Sequence, residues 1–222
     1  MSNLHNDIAS RIDAYTEQHS KQQDSLLYKL YRETHLKVMR PRMLTGHLQG
    51  KLLEFISRMH KPANILEIGT FTGYGTICLS RGLRQNGTIH TFEKNPEVLE
   101  YARKYFALEG ITDRVVIYND DAINMLSSIS DNFDLVFIDG DKTEYPDYIT
   151  ATKKLLKPNA VILIDNVLWD GKVLDPNSQD PETKAIQTAN AMIRDDDDFD
   201  NFLLPVRDGL MIAQYMPSNK TS

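Results

Sequence analysis

Cysteine is almost absent from this chain. Its 222 residues include only Cys78, which excludes an intrachain disulfide framework and fits a reducing cytoplasm. Long apolar runs are missing too, and none approaches the ~20 residues that a membrane-spanning helix needs. The opening stretch MSNLHNDIASRIDAY has no apolar core of the kind a secretory signal carries, so none is expected. Surplus positive charge is also lacking: 25 Lys and Arg against 31 Asp and Glu leave a net charge of −6. That balance argues against broad nucleic-acid binding. The six histidines show no ligand spacing, and no repeat or low-complexity linker divides the chain.

What basic charge there is concentrates in residues 21–61, where nine Lys or Arg stand against Asp24, Glu33 and Glu54. Solvated helix faces explain this, and so would a basic rim facing an anionic substrate or partner. Residues 5–19, 23–39 and 45–59 have helical spacing, the last with Leu48, Leu52, Phe55, Ile56 and Met59 on one face. The period then changes. Asn64–Ile68, Thr88–Phe92, Val115–Tyr118, Phe133–Ile138 and Ala160–Ile164 are short apolar runs, separated by helical stretches at 74–84, 96–109, 121–129 and 145–156. This alternation predicts an α/β fold: a Rossmann-like, seven-stranded, mostly parallel sheet with helices on both faces. Its last two strands, about 201–206 and 209–215, are joined only by Arg207–Asp208–Gly209 and should form an antiparallel C-terminal hairpin. Residues 1–60 form an N-terminal helical extension to the domain of residues 61–222, the two making one structural unit.

In such a sheet ligands bind beyond the carboxyl ends of the strands, and this chain places chemistry there. "ILEIGTFTGYGT" sets Glu67, Gly69, Gly73 and Gly75 at the first strand-to-helix turn. The spacing G-x-x-x-G-x-G is neither the dinucleotide fingerprint nor a phosphate-binding loop ending in Lys-Ser/Thr. Glu93 ends the next strand, where a carboxylate can accept both ribose hydroxyls. Acids beside the loop suit a cationic ligand better than a pyrophosphate, so S-adenosylmethionine is the expected cofactor and NAD the competitor. Further on, "FIDGDK" and "LIDN" end two apolar strands in Asp139 and in Asp165–Asn166. One such acid would be an ordinary strand end or helix cap. Two neighbouring ends offering only oxygen ligands predict a hard divalent cation: Mg²⁺, with Ca²⁺ or Mn²⁺ as alternatives. A cation there could hold two adjacent substrate oxygens and acidify a phenol whose pKa starts near about 10. Lys142, three residues after Asp139, is the candidate base, with its pKa expected to be lowered by a cation and by burial.

Together "RPRMLTGHLQGKLL", "ILEIGTFTGYGT", "FEKNPE", "FIDGDKTEYPDY", "LIDNVLWDG" and "LPVRDGL" resemble the cation-dependent O-methyltransferases, the group containing caffeoyl-CoA and catechol O-methyltransferases. The likeness runs over roughly residues 38–215 and is nearest to bacterial members. It implies methyl transfer to a hydroxyl of a vicinal-dihydroxy aromatic small molecule, with methylation of a hydroxylated uridine in tRNA as the alternative. Met43 and Thr45 would line the methionine side of the cofactor, with Glu67, Gly69 and Tyr74 around the methionine moiety and Glu93 on the ribose. Asp121 and Ala122 would sit against the adenine. Asp139 would bind metal and approach the cofactor amine, Asp165 and Asn166 would complete the metal set, Lys142 would be the base, and Trp169 a wall of the acceptor pocket. The resemblance also implies a homodimer, with the N-terminal helices at the interface and beside the acceptor pocket. Two positions depart from the pattern: Asp120 stands where glycine is frequent, and Pro205 where animal catechol enzymes carry an acid.

Overall fold

The computed structural model describes residues 2–217. Helix α1 (Ser2–His19) leads into α2 (Ser25–Lys37), whose start is fixed by Asp24: its Oδ1 accepts from the backbone N–H groups of Leu26 and Leu27, each at 3.0 Å. Leu27, Leu30 and Thr34 form its buried stripe, and Thr34 Oγ1 lies 3.0 Å from Thr72 Oγ1, which fastens the helix to the glycine loop. Arg40 in left-handed conformation and then Pro41 prevent the helix from continuing.

Helix α3 (His47–His60) corrects one expectation. Its inward face is Gln49, Gly50, Leu53, Glu54 and Ser57, while Phe55 and Met59 of the expected apolar face are exposed. The polar residues tolerate burial because each finds a partner. Glu54 pairs with Lys51, Arg58 and Arg81, and Ser57 donates to the Leu79 carbonyl at 2.6 Å. Gly50 has the Tyr74 ring against it, where a Cβ would come within 2.5 Å of Cε1.

The strands β1 (Asn64–Ile68), β2 (Thr88–Phe92), β3 (Val115–Tyr118), β4 (Phe133–Ile138), β5 (Leu156–Asp165), β6 (Phe199–Leu204) and β7 (Leu210–Tyr215) form one seven-stranded sheet in the order β3-β2-β1-β4-β5-β7-β6. β7 alone runs against the rest, antiparallel to both β5 and β6. The expected fold class therefore stands. β5 begins earlier than its apolar run because Leu156 pairs with Phe133 across an irregularity in register. β6 begins two residues before the expected start.

Helices α4 (Tyr74–Ser80), α5 (Pro96–Glu109), α6 (Ala122–Leu126) and α7 (Tyr145–Lys153) follow β1 to β4 in turn. α8 (Pro181–Asp195) is a helix that the periodicity does not mark; Asp180 caps it through Thr183, and Ile186, Ala189 and Ile193 anchor it. Among the described residues two apolar cores form. One gathers Leu66, Ile68, Val136, Ile138, Ile162 and Ile164, the other Ile65, Leu135, Phe137 and Leu163. These are alternate residues of the same central strands, so the cores cover opposite faces of the sheet.

Register positions the site. Ile68 pairs with Phe92 and with Ile138, and Ile138 pairs with Ile164. The next residue on each strand is Gly69, Glu93, Asp139 or Asp165, so the four stand in one row along the carboxyl edge. The strand order reverses between β1 and β4, where such sheets open a crevice.

Candidate active site

Glu67 points from β1 into a fully buried setting. Its Oε2 accepts from Thr76 Oγ1 at 2.5 Å and from Thr91 Oγ1 at 2.6 Å, while Oε1 has no hydrogen-bond partner. Burial pushes this carboxyl up to about 8 against the two hydroxyls that favour its charge, with Asp139 and Glu93 adding repulsion. An orphaned buried carboxylate oxygen is costly unless a donor reaches it. The room for one is kept by Gly75, whose Cβ would lie 3.0 Å from Glu67 Oε1 and 3.4 Å from Thr45 Oγ1. Glu67 and Thr45 thus border one glycine. A cationic amine fits this cradle; a phosphate does not.

Gly69 is left-handed at φ 106°, and a Cβ on it would fall 2.3 Å from the Asp139 carbonyl oxygen, so only glycine allows the ends of β1 and β4 to approach. Glu93 accepts from the backbone N–H of Phe71 through Oε2 and of Asn95 through Oε1, both at 2.9 Å, which holds the carboxylate at the edge of the glycine loop. Asp121 caps α6 through Ile123 and pairs with Lys94 at 2.7 Å; Ala122 is buried behind it. The Tyr74 ring packs against Gly50, and its hydroxyl donates to Gln23 Oε1 at 2.8 Å. Met43 ends a short 3₁₀ turn and is half exposed.

Across β4 and β5 the second cluster forms. Lys142 Nζ donates to Asp139 Oδ1 at 2.9 Å, to the Gly140 carbonyl at 3.3 Å and to the Tyr145 hydroxyl at 2.7 Å. Tyr145 in turn donates to the Asp165 carbonyl at 3.0 Å. Burial opposes the charge on Lys142, but Asp139 and Tyr145 outweigh it and hold its pKa above the ordinary lysine value. The lowering expected from the sequence depends on a cation beside the lysine; of the protein's own groups, burial acts in that direction and Asp139 and Tyr145 act against it. Asp165 moves upward, through burial first and the Asp139 charge second, with Gln49, Lys142 and the Asn166 N–H opposing.

Asn166, left-handed at φ 57°, donates Nδ2 to Asp208 Oδ2 at 3.3 Å. Asp208 Oδ1 accepts from the Asp170 N–H at 2.6 Å. Trp169 and Asp170 are also left-handed. Trp169 lies half-buried with Lys172 Nζ 5.1 Å from its ring centroid, and its Nε1 has no partner.

Among the described residues no three His, Cys, Asp or Glu side chains converge as a ready metal set. The oxygen donors are two carboxylates and one amide. A buried acid whose proton affinity is raised by burial and by the neighbouring Asp139 charge, beside an amide whose nitrogen is already used, suits a hard cation. The residues present therefore fit a divalent ion.

The structure also brings in residues that the sequence did not single out for the site: Thr76, Thr91, Tyr145, Gln49, Arg207 and Asp208. Tyr145 was legible in retrospect, three residues after Lys142 in the same turn. Gln49 and Arg207 were not; Arg207 Nη1 donates to Gln49 Oε1 at 2.6 Å across 158 residues of sequence. An open cleft of about 800 Å³ lies elsewhere, beside Ile149, Met192 and Tyr215. Its Lys153 is already paired with Asp196 and Asp198, so it carries no comparable chemistry.

The sequence matches the family model described as O-methyltransferase over residues 17–216. It is 38% identical over 149 residues to a catechol O-methyltransferase of Niastella koreensis, covering 65% of this chain and 67% of that protein. In structure it is similar to the O-methyltransferase TomG of Streptomyces achromogenes, involved in tomaymycin synthesis and solved with S-adenosylmethionine. That likeness has a TM-score of 0.87 at 29% identity, over 93% of this chain and 96% of that one. It is similar as well to the S-adenosylhomocysteine-bound methyltransferase PaMTH1 of Podospora anserina, with a TM-score of 0.86 at 30% identity, over 95% and 96% of the two chains.

Proposed function

The chain belongs to the O-methyltransferase family, and we propose that it moves the methyl group of S-adenosylmethionine to one hydroxyl of a vicinal-dihydroxy aromatic small molecule, held with a divalent cation, Mg²⁺ first among candidates. The observation that carries this reading is the juxtaposition of the orphaned Glu67 oxygen on β1 with the Asp139–Asp165 pair on β4 and β5. The likeness to a catechol O-methyltransferase supports the acceptor class.

Glu67 would accept from the cofactor's ammonium, with Gly69, Met43, Thr45 and the Tyr74 backbone around the methionine portion. Glu93 would take the ribose hydroxyls, while Ala122 and Asp121 border the adenine. Asp139, Asp165 and the Asn166 carbonyl would hold the cation, which when bound acidifies the acceptor hydroxyl. Lys142 Nζ would take that proton after losing its own to solvent, which becomes easier when Asp139 is shared with the cation and stabilises the ammonium less. Trp169 would flank the acceptor ring. As the acceptor oxygen bonds to the methyl carbon, the carbon–sulfur bond breaks and the sulfonium becomes a thioether; the protein's part is alignment.

The exposed side chains of Leu36, Met39, Phe55 and Met59 support a homodimer built on the N-terminal helices. The single buried thiol fits a cytoplasmic setting, and no helix among the described residues is long and apolar enough to cross a membrane. For the tRNA alternative part of the basic stretch is already engaged: Lys37 is paired with Glu33, and Lys51 and Arg58 with Glu54.

The test is methyl transfer from labelled S-adenosylmethionine to catechols, caffeoyl-CoA and hydroxyuridine-containing tRNA, with Mg²⁺ or EDTA, using Lys142→Ala and Asp165→Ala as controls. Catechol turnover abolished by EDTA is expected. Turnover that survives both EDTA and Asp165→Ala would remove the metal assignment.

A further inference from the structure

The floor of the crevice is acidic, with Asp139 and Asp165 side by side and Asp208 behind Asn166. Lys142 forms its ion pair with Asp139. The divalent cation proposed on these acids would be taken up by the two catechol oxygens, so a further anionic group on the acceptor needs a cation elsewhere. Arg207 occupies the position for that. It sits in the β6–β7 turn with φ 51°, a strained conformation for a bulky residue. The turn is pinned because Asp208 binds the Asn166–Asp170 loop.

From there the guanidinium reaches over the start of α3. A Cβ on Gly46 would lie 3.5 Å from Arg207 Nη1 and 3.8 Å from Cζ, ordinary contact distances that place the guanidinium directly over the residue that follows Met43–Thr45. Nη1 donates to Gln49 Oε1, and the Gln49 side chain borders the Asp165 carboxylate. Gln49 is buried, yet its Nε2 completes no hydrogen bond. Arg207 therefore stands one amide side chain away from Asp165. Among the described residues no carboxylate pairs with it, and its side chain is open to solvent. Arg81, by contrast, is held by Asp24, Glu54 and Glu109. With Nη1 engaged by Gln49, the Nε–Nη2 edge remains free, and that edge matches a carboxylate in bidentate fashion.

We infer that the preferred acceptor is a catechol bearing a carboxylate, on the ring or on a short side chain, and that Arg207 receives that carboxylate. This inference rests on the catechol reading of the same site. A coenzyme A thioester has its charge on phosphates far from the ring, and it is the other anionic source to be separated.

The experiment compares kcat/KM for 3,4-dihydroxybenzoate and for 4-methylcatechol in the wild type, Arg207→Gln and Arg207→Lys. The ratio of the two values is expected to favour the carboxylate in the wild type. It should fall by about 10- to 100-fold in Arg207→Gln, as for loss of a charge-assisted hydrogen bond, and recover in part in Arg207→Lys. A ratio unchanged by Arg207→Gln overturns the inference, as does Arg207-dependent turnover of caffeoyl-CoA without turnover of the free acid. Trp169 is the only tryptophan, so its fluorescence gives a second readout: 3,4-dihydroxybenzoate binding to enzyme loaded with S-adenosylhomocysteine. If no catechol is methylated, the function proposed above fails. The Arg207 inference is then judged by whether Arg207→Gln weakens that binding, and equal affinities overturn it.

Discussion

Asp208 and Asn166, 42 residues apart, meet through one hydrogen bond: Asn166 Nδ2 lies 3.3 Å from Asp208 Oδ2. An amide nitrogen occupied in this way leaves the amide carbonyl as the group free to ligate. Asp208 thus decides which end of Asn166 serves the crevice.

Replacing Asp208 by alanine is expected to weaken divalent-cation binding by about 10- to 100-fold, the usual effect of removing a group that orients a ligand. Mn²⁺ binding followed by electron paramagnetic resonance reads this directly. An unchanged Mn²⁺ affinity would show that Asn166 needs no such support.

Glu67 makes ligand-free stability pH-dependent. Its folded pKa of about 8 exceeds the ordinary 4.5. The folded state therefore holds a proton that the unfolded chain has released between these values. Stability from this group is complete below about pH 4.5 and declines as pH rises toward 8, with a slope of at most about 1.4 kcal/mol per unit. Glu67→Gln should gain on the wild type across that window in urea melts, and a flat difference refutes the assignment. Binding of S-adenosylmethionine near pH 7 should release a proton from the wild type, visible by calorimetry in buffers of different ionisation enthalpy, and none from Glu67→Gln.

Gly75→Ala offers a cleaner probe of the cofactor cradle. The added methyl would lie 3.0 Å from Glu67 Oε1 and 3.4 Å from Thr45 Oγ1, at a position within a helix where alanine is intrinsically favoured. Affinity for S-adenosylhomocysteine should drop at least tenfold while the thermal midpoint changes by only a few degrees. Full-strength binding would mean that the ligand lies elsewhere.

Tyr145→Phe removes the hydroxyl that joins Lys142 to the Asp165 carbonyl. The vacated carbonyl is buried, so a stability loss of about 1–3 kcal/mol is expected. In the kinetics kcat should fall with little change in the KM for S-adenosylmethionine, because Tyr145 touches the base and not the cofactor cradle. A rise in that KM alone would contradict this division.

Much of the fold could be read in advance because it rests on local patterns. Apolar runs ending in Glu93, Asp139 or Asp165 identified both the strands and the row of acids, since parallel register carries the ends of neighbouring strands to one edge. α3 could not be read that way: its inward Gln49 and Glu54 meet Arg207 and Arg81, partners that no local pattern reveals. The upward pull that Lys142 receives from its own neighbours went unread for a similar reason. Proximity to Asp139 was evident from spacing, but the degree of burial and the Tyr145 contact emerge only in three dimensions.

β7 lies between β5 and β6 although every other element lining the crevice precedes it in the chain. During synthesis, then, the ribosome releases Asp139, Asp165 and Asn166 well before the strand that flanks them. Until β7 arrives, β5 is an open edge whose unpaired backbone can recruit another chain. A nascent or truncated polypeptide stopping short of residue 210 would present that edge without Arg207 and Asp208 secured. This predisposes it to clump, and quality control would meet the unfinished protein as a sticky sheet rather than as a weak enzyme.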